Sequence, residues 1–260
     1  MKIQIICSIV LLLSVAVQAQ EKVPIKIDYP KVSHIHSDSG ASGARRSIRD
    51  YQELDSYPNY EPRPPILVPV GCDKLLSRGC KVTSSEDDKG GPIIGKLEDI
   101  TDGIKECNHD VMYVELGPRP QWIQIDLGEE KEIHAICIWH YHCLFSSYSS
   151  FRFGRIYRDV ICQISNDPKF IDGVVTVFNN DHDNSTGIGV GKDLEYIESR
   201  FGRPFAVDAV KGRYVRCYSR GNTDNAMNHY LEVEVFGRHI ERKQKAEADN
   251  AEVRRKKAEQ

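Results

Sequence analysis

The chain has 260 residues, 40% hydrophobic and 28% charged, with 35 Lys and Arg against 38 Asp and Glu and with eight cysteines. That balance excludes collagen-like, coiled-coil and polytopic membrane architectures. A net charge of -3, with no long basic stretch in the body of the chain, also excludes a nucleic-acid binder held by phosphate contacts.

The first segment reads as an address. Lys2 precedes a thirteen-residue apolar run over 5–17, and Val17-Gln18-Ala19 ends in a small residue. Residues 1–19 are therefore expected to be a signal peptide cleaved after about Ala19, placing the chain in a secreted, periplasmic or cell-surface location. The run is too short for a membrane span of about 20 residues. Cys7 leaves with it, and seven cysteines remain.

Residues 20–70 hold seven of the twelve prolines, with the cluster Pro58-Asn59-Tyr60-Glu61-Pro62-Arg63-Pro64-Pro65 and the small-residue run Ser39-Gly40-Ala41-Ser42-Gly43. Proline fixes φ and removes a donor, so a disordered, Pro-rich flexible linker is expected, exposed and open to cleavage at Arg45-Arg46. Residues 71–237 form the folding unit, with 19 basic and 26 acidic side chains. Residues 238–260, with eight basic and five acidic side chains, make a charged tail. Pairs such as Glu241 with Lys245 favour a solvated helix there.

Within 71–237 the hydrophobic period is two. Segments 122–127, 160–164 and 231–235 alternate, 174–178 and 213–218 add two more, and 133–142 is apolar on both faces, as in a covered strand. Residues 192–199 are the one helix-like stretch. Short strands separated by turn signals predict an all-β, antiparallel jelly-roll β-sandwich.

Six segments then carry a resemblance in order and spacing: Lys81-Val82-Thr83-Ser84-Ser85, Ile100-Thr101-Asp102-Gly103, Gln121-Trp122-Ile123-Gln124-Ile125-Asp126-Leu127-Gly128, Gln163-Ile164-Ser165-Asn166-Asp167, Gly212-Arg213-Tyr214-Val215-Arg216 and Glu232-Val233-Glu234-Val235-Phe236-Gly237. Together they resemble the discoidin, or coagulation factor 5/8 type C, family, whose galactose-binding-like fold is shared with family 32 carbohydrate-binding modules. The resemblance implies a non-catalytic module that binds glycans, phospholipid head groups or proteins through loops at one end. It also implies a structural calcium, with Asp102 and Glu232 as matched ligands and Asp99 offering a carbonyl. The chain departs from that pattern at Ile104-Lys105-Glu106-Cys107-Asn108-His109, where Asn108 alone is an obvious substitute.

The chemically dense loops are 139–157, 179–185 and 222–230. On a strand His140 and His142 would share a face, with Tyr148 and Arg155 following, His182 in the second loop, and Asn225, Asn228 and His229 in the third. Three readings stay open. In the first, these residues bind carbohydrate or a glycoconjugate. In the second, His140 and His142 grip a transition metal with a third ligand from Asp181, His182, Asp183 or His229, as in a metal-dependent enzyme. In the third, they pack under a long loop and cap a strand. Aromatic or aliphatic loop tips would equally serve adhesion to a protein or membrane surface. No nucleophile elbow, His-Glu-x-x-His pair or phosphate-binding loop occurs, so catalysis is not expected. Seven cysteines are odd in number; Cys162 and Cys217 suit a core, whereas Cys72, Cys80, Cys107 and Cys143 sit in turns or loops.

Overall fold

The computed structural model describes residues 20–30, 54–55, 61–106, 113–142, 155–240 and 255–256. Ten strands follow one another: β1 (Lys22–Pro24), β2 (Leu67–Pro69), β3 (Lys74–Leu75), β4 (Lys81–Ser84), β5 (Val114–Leu116), β6 (Gln121–His140), β7 (Ile161–Ser165), β8 (Val175–Asn179), β9 (Arg203–Ser219) and β10 (Asn228–His239). All named pairings are antiparallel. The architecture is the all-β jelly-roll sandwich that the alternating pattern predicts.

Two strands build both layers. The first half of β6 pairs with β4 on one side and with the second half of β9 on the other, and β7 and β8 extend that layer. After the register break between Asp126 and Lys131, the second half of β6 pairs with the first half of β9 and with β10, to which β3 and β5 are added. Gly128 stands at that break with φ 81°, a left-handed conformation that an L side chain resists. The two segments read separately in the sequence, 122–127 and 133–142, are thus one bent ribbon.

The core lies between the layers. Ile123, Ile125, Cys162, Ile164, Val215 and Cys217 face Ile136, Ile138, Phe205, Val233 and Val235 across it. Burying side chains of this size from both sheets is the main stabilising term.

The outer face of the second layer is also apolar, and here the linker expectation needs correction. β1 and β2 pair with each other, the Ile25 amide donates to the Ile66 carbonyl, and Ile25, Val68 and Cys72 pack on Ala135 and Phe236. Beside them Tyr29 meets Phe201 edge-on at 5.3 Å, and Ile27 and Tyr29 pack against Cys137, Trp139 and Leu231. Residues 20–30 and 61–70 are therefore a cover strip, not a free tether. This explains why 133–140 reads as apolar on both sides: each face of that ribbon meets a hydrophobic layer.

Residues 192–199 form no helix; they run as irregular chain with one bend, at Asp193, and a single bridge from Glu195 to Leu54. The signal segment lies outside the described residues. So does the tail beyond Ile240, except Arg255 and Lys256, which are exposed, and two residues do not support a charged helix.

Candidate functional site

The three dense loops do meet. The Tyr157 to Asn222 bridge, the Arg158 amide on the Gly221 carbonyl and the Thr223 amide on the Ile156 carbonyl join 155–158 to 220–223. Ser185 and Arg220 both reach the Asp159 carboxylate, at 2.8 and 3.0 Å, which ties in the 179–186 loop. Their histidines, however, do not converge on one point.

His140 is fully buried. Its Nδ1 lies 2.6 Å from Glu198 Oε1, its ring stacks on Tyr157 at 4.3 Å, and its Nε2 has no hydrogen-bond partner. His142 instead places Nε2 3.1 Å from the Lys105 carbonyl, and burial pulls its pKa down to about 4. Lys105 Nζ lies over the Trp139 ring at 4.9 Å, so His142 belongs with the opposite side of the ribbon. The shared-face expectation fails because β6 ends at His140, next to the irregularity between Tyr230 and Glu232 on β10. Period two does not continue beyond the last paired residue. Among the described residues, no metal-competent group of three includes His140 or His142.

His182 Nε2 is directed to the Asp193 carbonyl at 2.8 Å, away from the other loops. Asp181 is spent on the Ser185 and Thr186 amides. Asn228 is wholly buried: its Nδ2 donates to the Gly117 and Arg119 carbonyls, while its Oδ1 accepts from Ser219 Oγ and the Gly221 amide. Such saturation makes it a loop fastener rather than a ligand contact. Asn225 is exposed, and its Oδ1 takes Asn222 Nδ2 and the Met227 amide. Tyr148 lies outside the described residues.

Arg155 and His229 mark the group that remains available. Arg155 donates to Asp224 Oδ2 at 2.7 Å and lies over the Tyr141 ring at 4.6 Å. Tyr113 meets Tyr141 edge-on at 4.6 Å and His229 at 5.2 Å. His229 forms the floor: Nε2 faces Glu115 Oε2 at 3.0 Å, and Nδ1 faces the Tyr157 hydroxyl at 2.7 Å. Burial drives its pKa down to about 3, with the Arg155 charge adding to the effect, so the ring is neutral. A neutral ring donating from Nε2 to Glu115 accepts at Nδ1 from Tyr157. Burial raises the Glu115 carboxyl, opposed by Arg155, and burial raises Tyr141 to about 12. The result is a rigid polar shelf with aromatic walls and an exposed rim of Asp224 and Asn225, a design suited to a small polar ligand. Tyr113 and Glu115 carry no motif and are invisible in the sequence; only the pairing of Glu115 on β5 with His229 of β10, and the contact of Tyr113, just before β5, with the His229 ring, reveal them.

The implied calcium ligands lie elsewhere. Asp99 Oδ2 accepts from the Lys96 amide, and Asp102 Oδ1 accepts from the Ile104 amide. Glu232 Oε2 accepts from the Gly103 amide at 2.8 Å, while Oε1 is buried without a hydrogen-bond partner. Burial raises the Glu232 pKa to about 8. Two residues along, Glu234 pairs with Lys105 at 2.5 Å and with Arg78 at 3.7 Å. Asn108 is outside the described residues.

No family model matches the chain, and no curated protein matches it. Solved structures similar to it include the CBM32 module of AlyQ in complex with 4,5-unsaturated mannuronic acid, at 19% identity and TM-score 0.42, covering 63% of this chain and 98% of that one. A chitosan-binding module from a chitosanase/glucanase of Paenibacillus sp. IK-5 follows at 17% identity and TM-score 0.40, covering 63% and 99%. The lectin domain of lectinolysin complexed with Lewis B antigen stands at 16% identity and TM-score 0.41, covering 64% and 98%.

Proposed function

We propose that the protein is an exported, non-catalytic module that binds carbohydrate on the shelf formed by Tyr113, Glu115, Tyr141, Arg155, Asp224 and His229. The observation that carries this reading is Arg155, held between the Tyr141 ring and the Asp224 carboxylate at the edge of the loop end. A guanidinium fixed in that way presents several donors in one plane to vicinal hydroxyls, neighbouring carboxylates accept from them, and the tyrosines supply apolar walls. Catalysis by a histidine-activated nucleophile would require a ring nitrogen free to act as base. His229, the histidine on this shelf, has both nitrogens committed to fixed partners.

The test is a glycan array followed by calorimetric titration of the full chain with the best saccharide. Arg155→Ala is expected to weaken binding at least tenfold while the sheet signal in circular dichroism is kept. Affinity equal to wild type in that variant would overturn the site.

We infer that calcium is not needed here. Asp102 and Glu232 each give a carboxylate oxygen to an amide of the 102–106 loop, and Lys105 within that loop pairs with Glu234 of β10, so the loop is held without an ion.

A further inference from the structure

A second constellation lies on the other side of the sandwich, under the cover strip. Glu132 and His134 are two residues apart on β6 and share one face, with His134 Nε2 2.9 Å from Glu132 Oε1. Cys72 arrives from the turn after β2, fixed by its amide on the Pro69 carbonyl. One sulfur, one ring nitrogen and one carboxylate oxygen from these three residues lie within 4.8 Å of one another. Cys72 is a free thiol with 1% exposure, and His134 is 7% exposed.

We propose that Cys72, Glu132 and His134 form a site for a divalent transition metal of the zinc class. The donor chemistry argues for this identity. A thiolate, an imidazole and a carboxylate are the three ligand types that zinc accepts, whereas calcium and magnesium require oxygen throughout. Around a tetrahedral zinc these donors stand roughly 3.6 Å apart, given metal–ligand distances of about 2.0 to 2.3 Å. The present separations, at most 4.8 Å, must shorten by about 1 Å to reach that geometry. The surroundings are those of a ligand site as well. Arg238 donates to Glu132 Oε2 at 3.0 Å, the kind of outer partner that orients a ligating carboxylate.

The three side chains also line a cavity of about 540 Å³ together with Gln20, Lys22, Val68, Asp208 and Arg238. A metal held by three protein ligands keeps its fourth position open towards that space, for water or a small anion. Binding would release one proton, from the Cys72 thiol, while His134 coordinates as the neutral ring and Glu132 as the carboxylate. Because Cys72 lies in the turn that directly follows the cover strip and the other two ligands lie on β6, the ion would also staple the end of the strip to the sandwich.

The experiment uses the purified full chain after dialysis against a chelator, titrated with cobalt(II) as a spectroscopic substitute and with zinc in thermal melts. Expected are a thiolate-to-cobalt charge-transfer absorption saturating at one equivalent and a rise in the melting midpoint with zinc. Cys72→Ser should abolish the absorption, and His134→Gln should weaken cobalt affinity at least tenfold, with both variants keeping the sheet signal. Absence of the absorption in wild type, or its survival in Cys72→Ser, would overturn the proposal.

Discussion

His229 and Glu232 are buried and His142 is partly buried; the protonation of all three differs between the folded and unfolded chain, and their effects on stability oppose one another. The two histidines, at about 3 and about 4, bind fewer protons folded than unfolded, so stability falls as pH drops below about 6.5. Glu232, raised to about 8 by burial, binds more protons folded than unfolded, so it costs stability as pH rises from about 4.5 towards 8. Glu232→Gln keeps an oxygen for the Gly103 amide and removes the charge. Its melting midpoint is expected to exceed that of wild type at pH 8 and to converge with it near pH 4.5. Adding calcium at pH 8 should leave the wild-type midpoint unchanged; a rise would place an ion on Glu232 Oε1 and reverse the reading of that loop. The sequence names Glu232, His142 and His229 as chemically loaded, yet their roles depend on burial and partners that no spacing encodes. His140 makes the same point: its partner Glu198 lies 58 positions along the chain.

At the level of elements, the long ribbon β6 makes the cover strip necessary. Its second half is buried on both faces, and Trp139 is packed so closely that a Cβ at Gly202 would stand 2.6 Å from its ring. Ala135 and Phe236 rely on Ile25 and Val68 for their covering. Ile25→Ala should therefore cost about 2 kcal/mol in urea unfolding, and removal of residues 20–30 should expose enough apolar sheet to bind a hydrophobic dye. An unchanged midpoint for Ile25→Ala would show that the strip rests on the sheet without stabilising it. The strands were legible because alternating aliphatics impose a face, and the two-sided run at 133–142 announced a third layer. What supplied that layer was hidden, because a proline-rich segment with balanced charge has the composition of a spacer. Val23, Ile25, Ile27 and Tyr29 do alternate at period two, but the run is short, is interrupted by Pro24 and closed by Pro30, and stands apart from the other strands in a segment whose composition dominates the reading. The same arithmetic of two that failed for His140 and His142, at the end of the ribbon, holds for Glu132 and His134 within it.

At the scale of the whole molecule, a buried ion pair links the 102–106 loop to the candidate shelf. Lys105 and Glu234 are both at least nine-tenths buried, and the Lys105 carbonyl receives His142, the neighbour of the Tyr141 that carries Arg155. Breaking such a pair from one side leaves an unpaired buried charge and costs about 3–5 kcal/mol, whereas replacing both partners with apolar groups is often neutral. Lys105→Met alone leaves Glu234 with Arg78 at 3.7 Å, so it should lower stability by about 3 kcal/mol, the low end of that range, in denaturant unfolding. Lys105→Met with Glu234→Met should recover most of it, because the remaining cation, Arg78, is half exposed and can turn to water. Saccharide affinity then separates two roles for the pair. If it serves only to hold the loop, the double variant binds as wild type does. If the charge also fixes the position of His142, and through it Tyr141, the double variant is stable but binds several-fold more weakly. We expect the second outcome, because His142 contacts the Lys105 backbone, whose place is set by the side chain anchored on β10.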